Sequence, residues 1–349
     1  MLIKTIIALA VIVMVFVSPG FSQGDRRDKT AVTFEELYDE PYATNKLFVG
    51  FQPLYGEVFA TNVNAGFGVE ASYYHQDKFD LKLNFRRPYS TSFFDLNTFS
   101  AKKNSDVDNK PNVFGYFEIG GTYHVKDFDQ ASKTKMVLYK KSYKGDLWAA
   151  RVPLRAEVPC KVRKIYGARL GGIFWNSTAD ITRILTEQNL TNADLTMVGN
   201  ETSFLPSTYV DAGGQTQDLD VFSNVRSAGL YVGGSMSWIR NVAVSFDKYE
   251  EGVDDGILTV FLDVLYSPML NVDDIVFNGN TYSASAVKTS PIGVRLGLDG
   301  KFNRTLGCSY GGEIGYRPSL QGGAFFALFK IGFPVFGTNL DYKVESFGK

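Results

Sequence analysis

Apolar residues recur at every second position through most of this chain, and runs of helical spacing are scarce. Phe67, Val69, Ala71 and Tyr73 alternate with small or polar residues, and Phe79, Leu81, Leu83 and Phe85 do so again after the short break QDK at 76–78. The pattern returns in Phe117, Ile119, Tyr123 and Val125, then in Tyr166, Ala168, Leu170 and Phe174. Leu230, Val232, Met236 and Trp238 continue it, as do Leu258, Val260, Leu262 and Val264. Ile292, Val294, Leu296 and Leu298 precede a last run of Phe325, Ala327, Phe329, Ile331 and Phe333. A period of two puts alternate residues on opposite faces of a strand. The spacing predicts an all-β chain.

The opposite faces carry charge. Glu70, Asp80, Lys82, Arg86, Glu118, Arg151, Arg155, Glu157, Arg163, Arg169, Asp263, Arg295 and Glu313 all fall there, with many glycines between them. A soluble sandwich alternates as well, with its polar set in water. Strand length and connection length separate the two architectures. Several segments run well beyond the five or six residues of an ordinary strand and reach the nine to eleven that a tilted bilayer-crossing strand needs. Short connections are QDK at 76–78, DFDQASK at 127–133, PCK at 159–161 and DGK at 299–301; long polar ones are 88–111, 177–221 and 269–288.

Twelve antiparallel strands follow, at 46–55, 63–75, 78–88, 112–126, 134–143, 146–158, 161–176, 222–248, 256–268, 289–299, 302–317 and 322–336. They put every one of these short turns on one rim and every long loop on the other. The exception is a tight connection at Lys144-Gly145 on the long-loop rim. Splitting 222–248 near Arg240-Asn241 and adding 340–347 gives fourteen, the runner-up. The thirteen charged positions then line the lumen of a closed barrel over 46–336, with 337–349 as a tail or an extra closing strand.

The N-terminus has a separate character. Lys4, an apolar run from Ile6 to Val17, and SPGFSQ with small residues at Gly20 and Ser22 have the layout of a secretory signal peptide over 1–22. The run falls short of the roughly 20 residues a spanning helix needs. Segment 23–45 is a charged arm with FEELYDEPY at 34–42. Charge is balanced, at 36 basic against 37 acidic residues, which leaves no nucleic-acid footprint. Cys160 and Cys308 allow one bridge and exclude a disulfide-rich scaffold.

The signal peptide, the alternating strands and the glycine-led, aromatic GGAFFALFKIGFPVF at 322–336 resemble the outer-membrane β-barrel proteins of Gram-negative bacteria. The segment at 322–336 looks like their closing strand, although 13 residues follow Phe336 where that strand commonly ends the chain. The resemblance implies a transmembrane antiparallel barrel in the outer membrane, with periplasmic short turns and extracellular long loops. It also implies interfacial girdles, for which Tyr73, Phe79, Tyr123 and Phe333 are candidates.

Catalytic signals are weak. His75 and His124 are the two histidines; His75 has lipid-facing parity, and His124 shares lumen parity with Glu118 and Lys126. Neither the histidine and cysteine spacings nor GVDDG at 252–256 and NVDD at 271–274 match a metal site, so no metal or cofactor is expected. Arg151, Arg155, Arg163 and Arg169 suggest a basic ladder favouring anions. The opposite reading is that they pair with Glu157, Glu118 and Asp80 and fill a narrow lumen. The sequence thus points to a non-enzymatic outer-membrane barrel, porin-like for small polar or anionic solutes. The alternatives are a scaffold subunit of a larger envelope complex and, third, a hydrolase using His124. Expected partners are outer-membrane lipid and envelope proteins that meet the 23–45 arm or the 177–221 loop.

Overall fold

The computed structural model describes residues 32–337, apart from 45, 60–61, 76–77, 93, 139–154, 211–212, 248 and 304–306. The expected signal peptide, most of the 23–45 arm, the Lys144-Gly145 connection and the tail beyond Gly337 lie outside the described residues.

Ten antiparallel strands close into a barrel. They are β1 (Leu47–Phe59), β2 (Asn62–His75), β3 (Phe79–Pro88), β4 (Gly115–Val137), β5 (Arg155–Asp180), β6 (Phe222–Ile239), β7 (Gly256–Val272), β8 (Ile292–Phe302), β9 (Ser309–Tyr316) and β10 (Phe325–Gly337). Each pairs with its neighbour in sequence, and β10 returns to β1, from Phe48 opposite Gly337 to Phe59 opposite Phe326. Closure leaves no open edge within the ring of ten strands itself. The segment expected to close the sheet does so as β10.

The strand number corrects the twelve expected. The described parts of the segments 112–126 and 134–143 fall in one strand, Gly115–Val137 of 23 residues, and those of 146–158 and 161–176 fall in another, Arg155–Asp180 of 26. DFDQASK and PCK are therefore not turns. They lie opposite each other in a ladder that continues from Asp127 opposite Ile165 to Val137 opposite Arg155. β6 stays paired with β5 only as far as Ile239 opposite Arg163, so the β4–β5 hairpin projects past the barrel. Pro159 is tolerated there because β5 is an edge strand beyond Arg163. The expected 222–248 strand breaks after Ile239, and Val242–Phe246 leaves the barrel rather than adding to it.

That departing strand sits at the centre of a three-stranded sheet, between Phe34–Asp39 and Gly252–Asp254. The sheet rests on the projecting hairpin. Thr134 Oγ1 donates to Asp254 Oδ2 at 2.6 Å and the Lys161 amide donates to Asp39 Oδ2 at 2.8 Å. At the other rim the long loops fold into a cap with its own apolar core, including Phe114, Trp175, Ile181, Ile184, Leu195, Leu205, Leu219, Ile275 and Tyr282. Two short helices serve this cap: α1 (Leu96–Asn104) and α2 (Ile181–Glu187). Asp95 caps α1 through Thr98 N, and Asp180 caps α2 through Arg183 N, filling donors that helix starts leave open.

The barrel is apolar outside and charged inside. Leu81, Ile119, Leu170, Leu230, Val232, Leu262, Ile292 and Phe329 are each at least half exposed on the outer face. Arg86, Glu118, Arg169, Asp263 and Arg295 are buried on the inner one. Tyr73, Tyr123 and Phe333 are exposed, and Phe79 is paired with Tyr123 near the short-turn rim.

Candidate functional site

The interior of the barrel concentrates the charged side chains, and β-strand alternation aims them there. At its centre Arg295 on β8 reaches three carboxylates. Its Nε donates to Asp263 Oδ2 at 2.8 Å, its Nη2 to Glu118 Oε1 at 2.5 Å and its Nη1 to Glu313 Oε2 at 3.3 Å. Arg169 on β5 takes the other side of Asp263, with Nε 2.9 Å from Oδ1. Asp263 thus bridges two guanidinium groups, each stacked on aromatic rings. Arg169 lies 4.0 Å over Phe261 and Arg295 lies 4.6 Å over Tyr231.

Glycine makes room for those rings. A β-carbon at Gly297 would come within 2.1 Å of Phe261, and one at Gly171 within 2.6 Å of Tyr231. At this level the rings of Phe261 and Tyr231 and the guanidinium groups of Arg169 and Arg295 pack against one another inside the barrel.

Toward the long-loop rim, Arg317 grips Glu57 with two bonds of 2.9 and 3.2 Å. Arg86 Nη2 stands 3.9 Å from the same carboxylate while its guanidinium lies 3.9 Å over the Tyr116 ring. Toward the short-turn rim, Asp299 binds Lys330 at 2.9 Å and Lys82 at 3.2 Å, and Lys330 lies 3.5 Å from Glu70. Glu70 also accepts from Ser309 and Gln52. His124 Nε2 faces Asp80 Oδ2 at 3.3 Å, both in the lumen. Arg163 pairs with Asp127 and lies 4.6 Å over Tyr42, which brings the end of the N-terminal arm to the barrel mouth.

Buried ion pairs of this kind hold only while every charge is matched, because an orphaned one carries its full desolvation cost. The matching is dense here, and it crosses the lumen between strands distant in sequence.

Ten of the thirteen sequence-predicted positions face this interior: Glu70, Asp80, Lys82, Arg86, Glu118, Arg163, Arg169, Asp263, Arg295 and Glu313. Arg155 and Glu157 do not. They are exposed on the projecting hairpin, because β5 has left the barrel by that point, and the side of the ribbon that is buried there carries Val158, Cys160 and Val162. Arg151 lies outside the described residues. The basic ladder is thus broken: Arg163 and Arg169 are paired inside, and Arg155 is elsewhere.

Sequence reasoning missed Glu57, Asp299, Lys301, Arg317 and Lys330. Asp299 and Lys301 looked like a DGK turn, yet β8 runs on to Phe302. Their spacing of two from Arg295 and Gly297 was the signal available. His75 stacks on Phe79 at 4.8 Å at a strand end. Cys160 and Cys308 are unbridged. Among the described residues no cluster of three or more histidine, cysteine or carboxylate side chains is arranged to hold a metal. No protein-family model matches the chain, and no curated protein is similar to it in sequence.

Proposed function

We propose that this chain is an outer-membrane β-barrel with a closed lumen, serving as an anchored scaffold that presents a folded cap on one side of the membrane and a small sheet on the other. The observation that carries the membrane reading is the inversion of its wall, with Leu170, Ile292 and Val232 at least 60% exposed outside while Asp263 and Arg295 are at most 1% exposed inside. Water as the outer solvent would make that arrangement costly, at roughly 25 cal/mol per Å² of apolar surface. Lipid makes it favourable, and a closed sheet leaves no backbone group unsatisfied in hydrocarbon.

The paired interior favours the scaffold over the porin-like channel. An anion pathway needs guanidinium groups free to meet solute, and Arg169, Arg295 and Arg317 are each buried against a carboxylate. The cap also covers the long-loop mouth. Its surface displays Val198, Phe204 and Val210, each more than half exposed, as a contact face for an envelope partner.

Fractionation tests the membrane reading. Without residues 1–22 the folded protein should need detergent to stay dispersed; solubility in plain buffer would overturn it. In planar bilayers the protein should be silent, whereas discrete conductance steps would favour the channel. Gentle extraction should recover an assembly larger than a monomer, and recovery of monomer alone would count against the scaffold.

A further inference from the structure

One cation inside the barrel stands apart from the ion-pair network. Lys301 on β8 points inward near the short-turn rim, between the rings of Phe48 and Tyr74, whose centroids lie 4.2 and 4.8 Å from Nζ. No carboxylate among the described residues comes within ion-pair distance of it. Its neighbours Lys82 and Lys330 are both bound to Asp299. Its one polar partner is a hydroxyl: Nζ lies 2.6 Å from Ser72 Oγ on β2, a side chain on the opposite wall that is 8% exposed.

Beside this pair is a cavity of about 50 Å³, bounded by Ser72, Lys301, Tyr74, Lys82 and Asn84, with Glu70 and Asp299, both engaged by Lys330, also in its lining. That exceeds the roughly 10 to 15 Å³ that admits one water. Lys301 also borders a larger cleft of about 430 Å³ with Trp238, Arg240, Ile257 and Tyr310. The scaffold reading makes no use of either space.

We propose that Ser72 and Lys301 form a nucleophile–base dyad that hydrolyses small carboxylic esters, with the short acyl group held in the inner cavity. A serine hydroxyl is a weak nucleophile until an adjacent base takes its proton. An amine enclosed by rings and left without a carboxylate is the setting in which lysine acts as that base. With the amine neutral, the hydrogen bond reverses and Ser72 donates to Nζ. Oγ then bonds to the carbonyl carbon, its proton passes to Nζ, and the carbonyl electron pair moves to oxygen. Asn84 and Lys82, the latter also bound to Asp299, line the same cavity and are the side chains there with N–H groups for that oxygen. Collapse re-forms the carbonyl, breaks the bond to the alkoxy group, and the Nζ proton goes to the departing alcohol. Water then adds to acyl-Ser72, giving its proton to Nζ. When the acid leaves, that proton returns to Oγ, and the sum is ester plus water to alcohol plus acid.

The test uses the full folded protein in detergent micelles, with folding verified by its heat-sensitive mobility on gels. A small alkyl fluorophosphonate should label it at one site, which peptide mass spectrometry should assign to Ser72. p-Nitrophenyl acetate should be turned over, and Lys301→Met, which keeps the chain length without the amine, should slow labelling by about 10²-fold or more. Ser72→Ala should abolish it. A folded wild-type protein that takes no label, a label on another residue, or Lys301→Met labelled at the wild-type rate would each overturn the dyad. A merely structural hydrogen bond predicts unlabelled protein whatever its stability. Because the readout is a covalent adduct on folded protein, it is independent of whether the barrel proves to be an outer-membrane scaffold.

Discussion

The two halves of β5 belong to the same strand but obey opposite rules. From Phe174 through Leu170 to Tyr166, the even-numbered side of the strand is apolar and exposed, while Arg169 is buried on the other side. Past Arg163 the even-numbered side is still apolar, in Val162, Cys160 and Val158, yet now it is buried. The difference is the cover. Beyond the barrel the three-stranded sheet closes over the hairpin, with Gly252 so near that a β-carbon there would meet the Met136 sulfur at 2.6 Å. Along the barrel wall the described residues supply no such layer. Under the membrane reading proposed above, a strand that brings its own cover over one length and omits it over the next is built for two solvents, the second being lipid.

Substitutions on the two halves sharpen this contrast. The largest effect belongs to the interior. Asp263→Ala leaves Arg169 and Arg295 facing each other with a central partner gone, and should destabilise the barrel by about 3–5 kcal/mol in urea unfolding from vesicles. Leu170→Arg on the wall should cost about 2–4 kcal/mol in the same assay if that side meets hydrocarbon at mid-depth, and under 0.5 kcal/mol if it meets water. That single measurement breaks or keeps the two-solvent account.

Val158→Ala on the covered half should cost about 1 kcal/mol through lost packing, and should loosen the small sheet while leaving barrel heat-modifiability intact. Arg155→Glu with Glu157→Lys, both on the hairpin surface, should stay within about 0.5 kcal/mol of wild type. Cysteine chemistry gives the smallest and simplest readout. Burial pushes the Cys160 thiol above its usual range, so with fewer thiolates it should react with maleimide more slowly than the half-buried Cys308. Unfolding the small sheet should remove that difference.

Much of the wall was legible from the chain alone. Period-two alternation depends on nothing but local geometry, so the strands from Phe67 to Phe85, and the inward set Glu70, Asp80, Lys82 and Arg86, could be read residue by residue. The closing role of 322–336 came from its resemblance to the last strand of outer-membrane barrels, and β10 does close the sheet onto β1. The ends of strands were not. DFDQASK and PCK are polar or proline-bearing, and such stretches serve equally as turns or as hairpin surface in water. Only the point at which β6 stops pairing, at Arg163, shows that β4 and β5 run on without it. DGK was misread in the opposite sense, which hid Asp299 and Lys301.

What the sequence determined by itself is an all-β chain with one apolar and one charged face. What the tertiary structure decided is how many strands close, and which charge meets which. Arg295 and Glu118 are 177 residues apart, as far as Arg317 and Glu57 are beyond any local rule at 260. Their meeting depends on barrel radius and strand tilt, quantities that exist only once β10 has closed onto β1. A row of arginines on a sequence does not say which carboxylate each will meet, because that partner comes from a distant strand across the barrel interior.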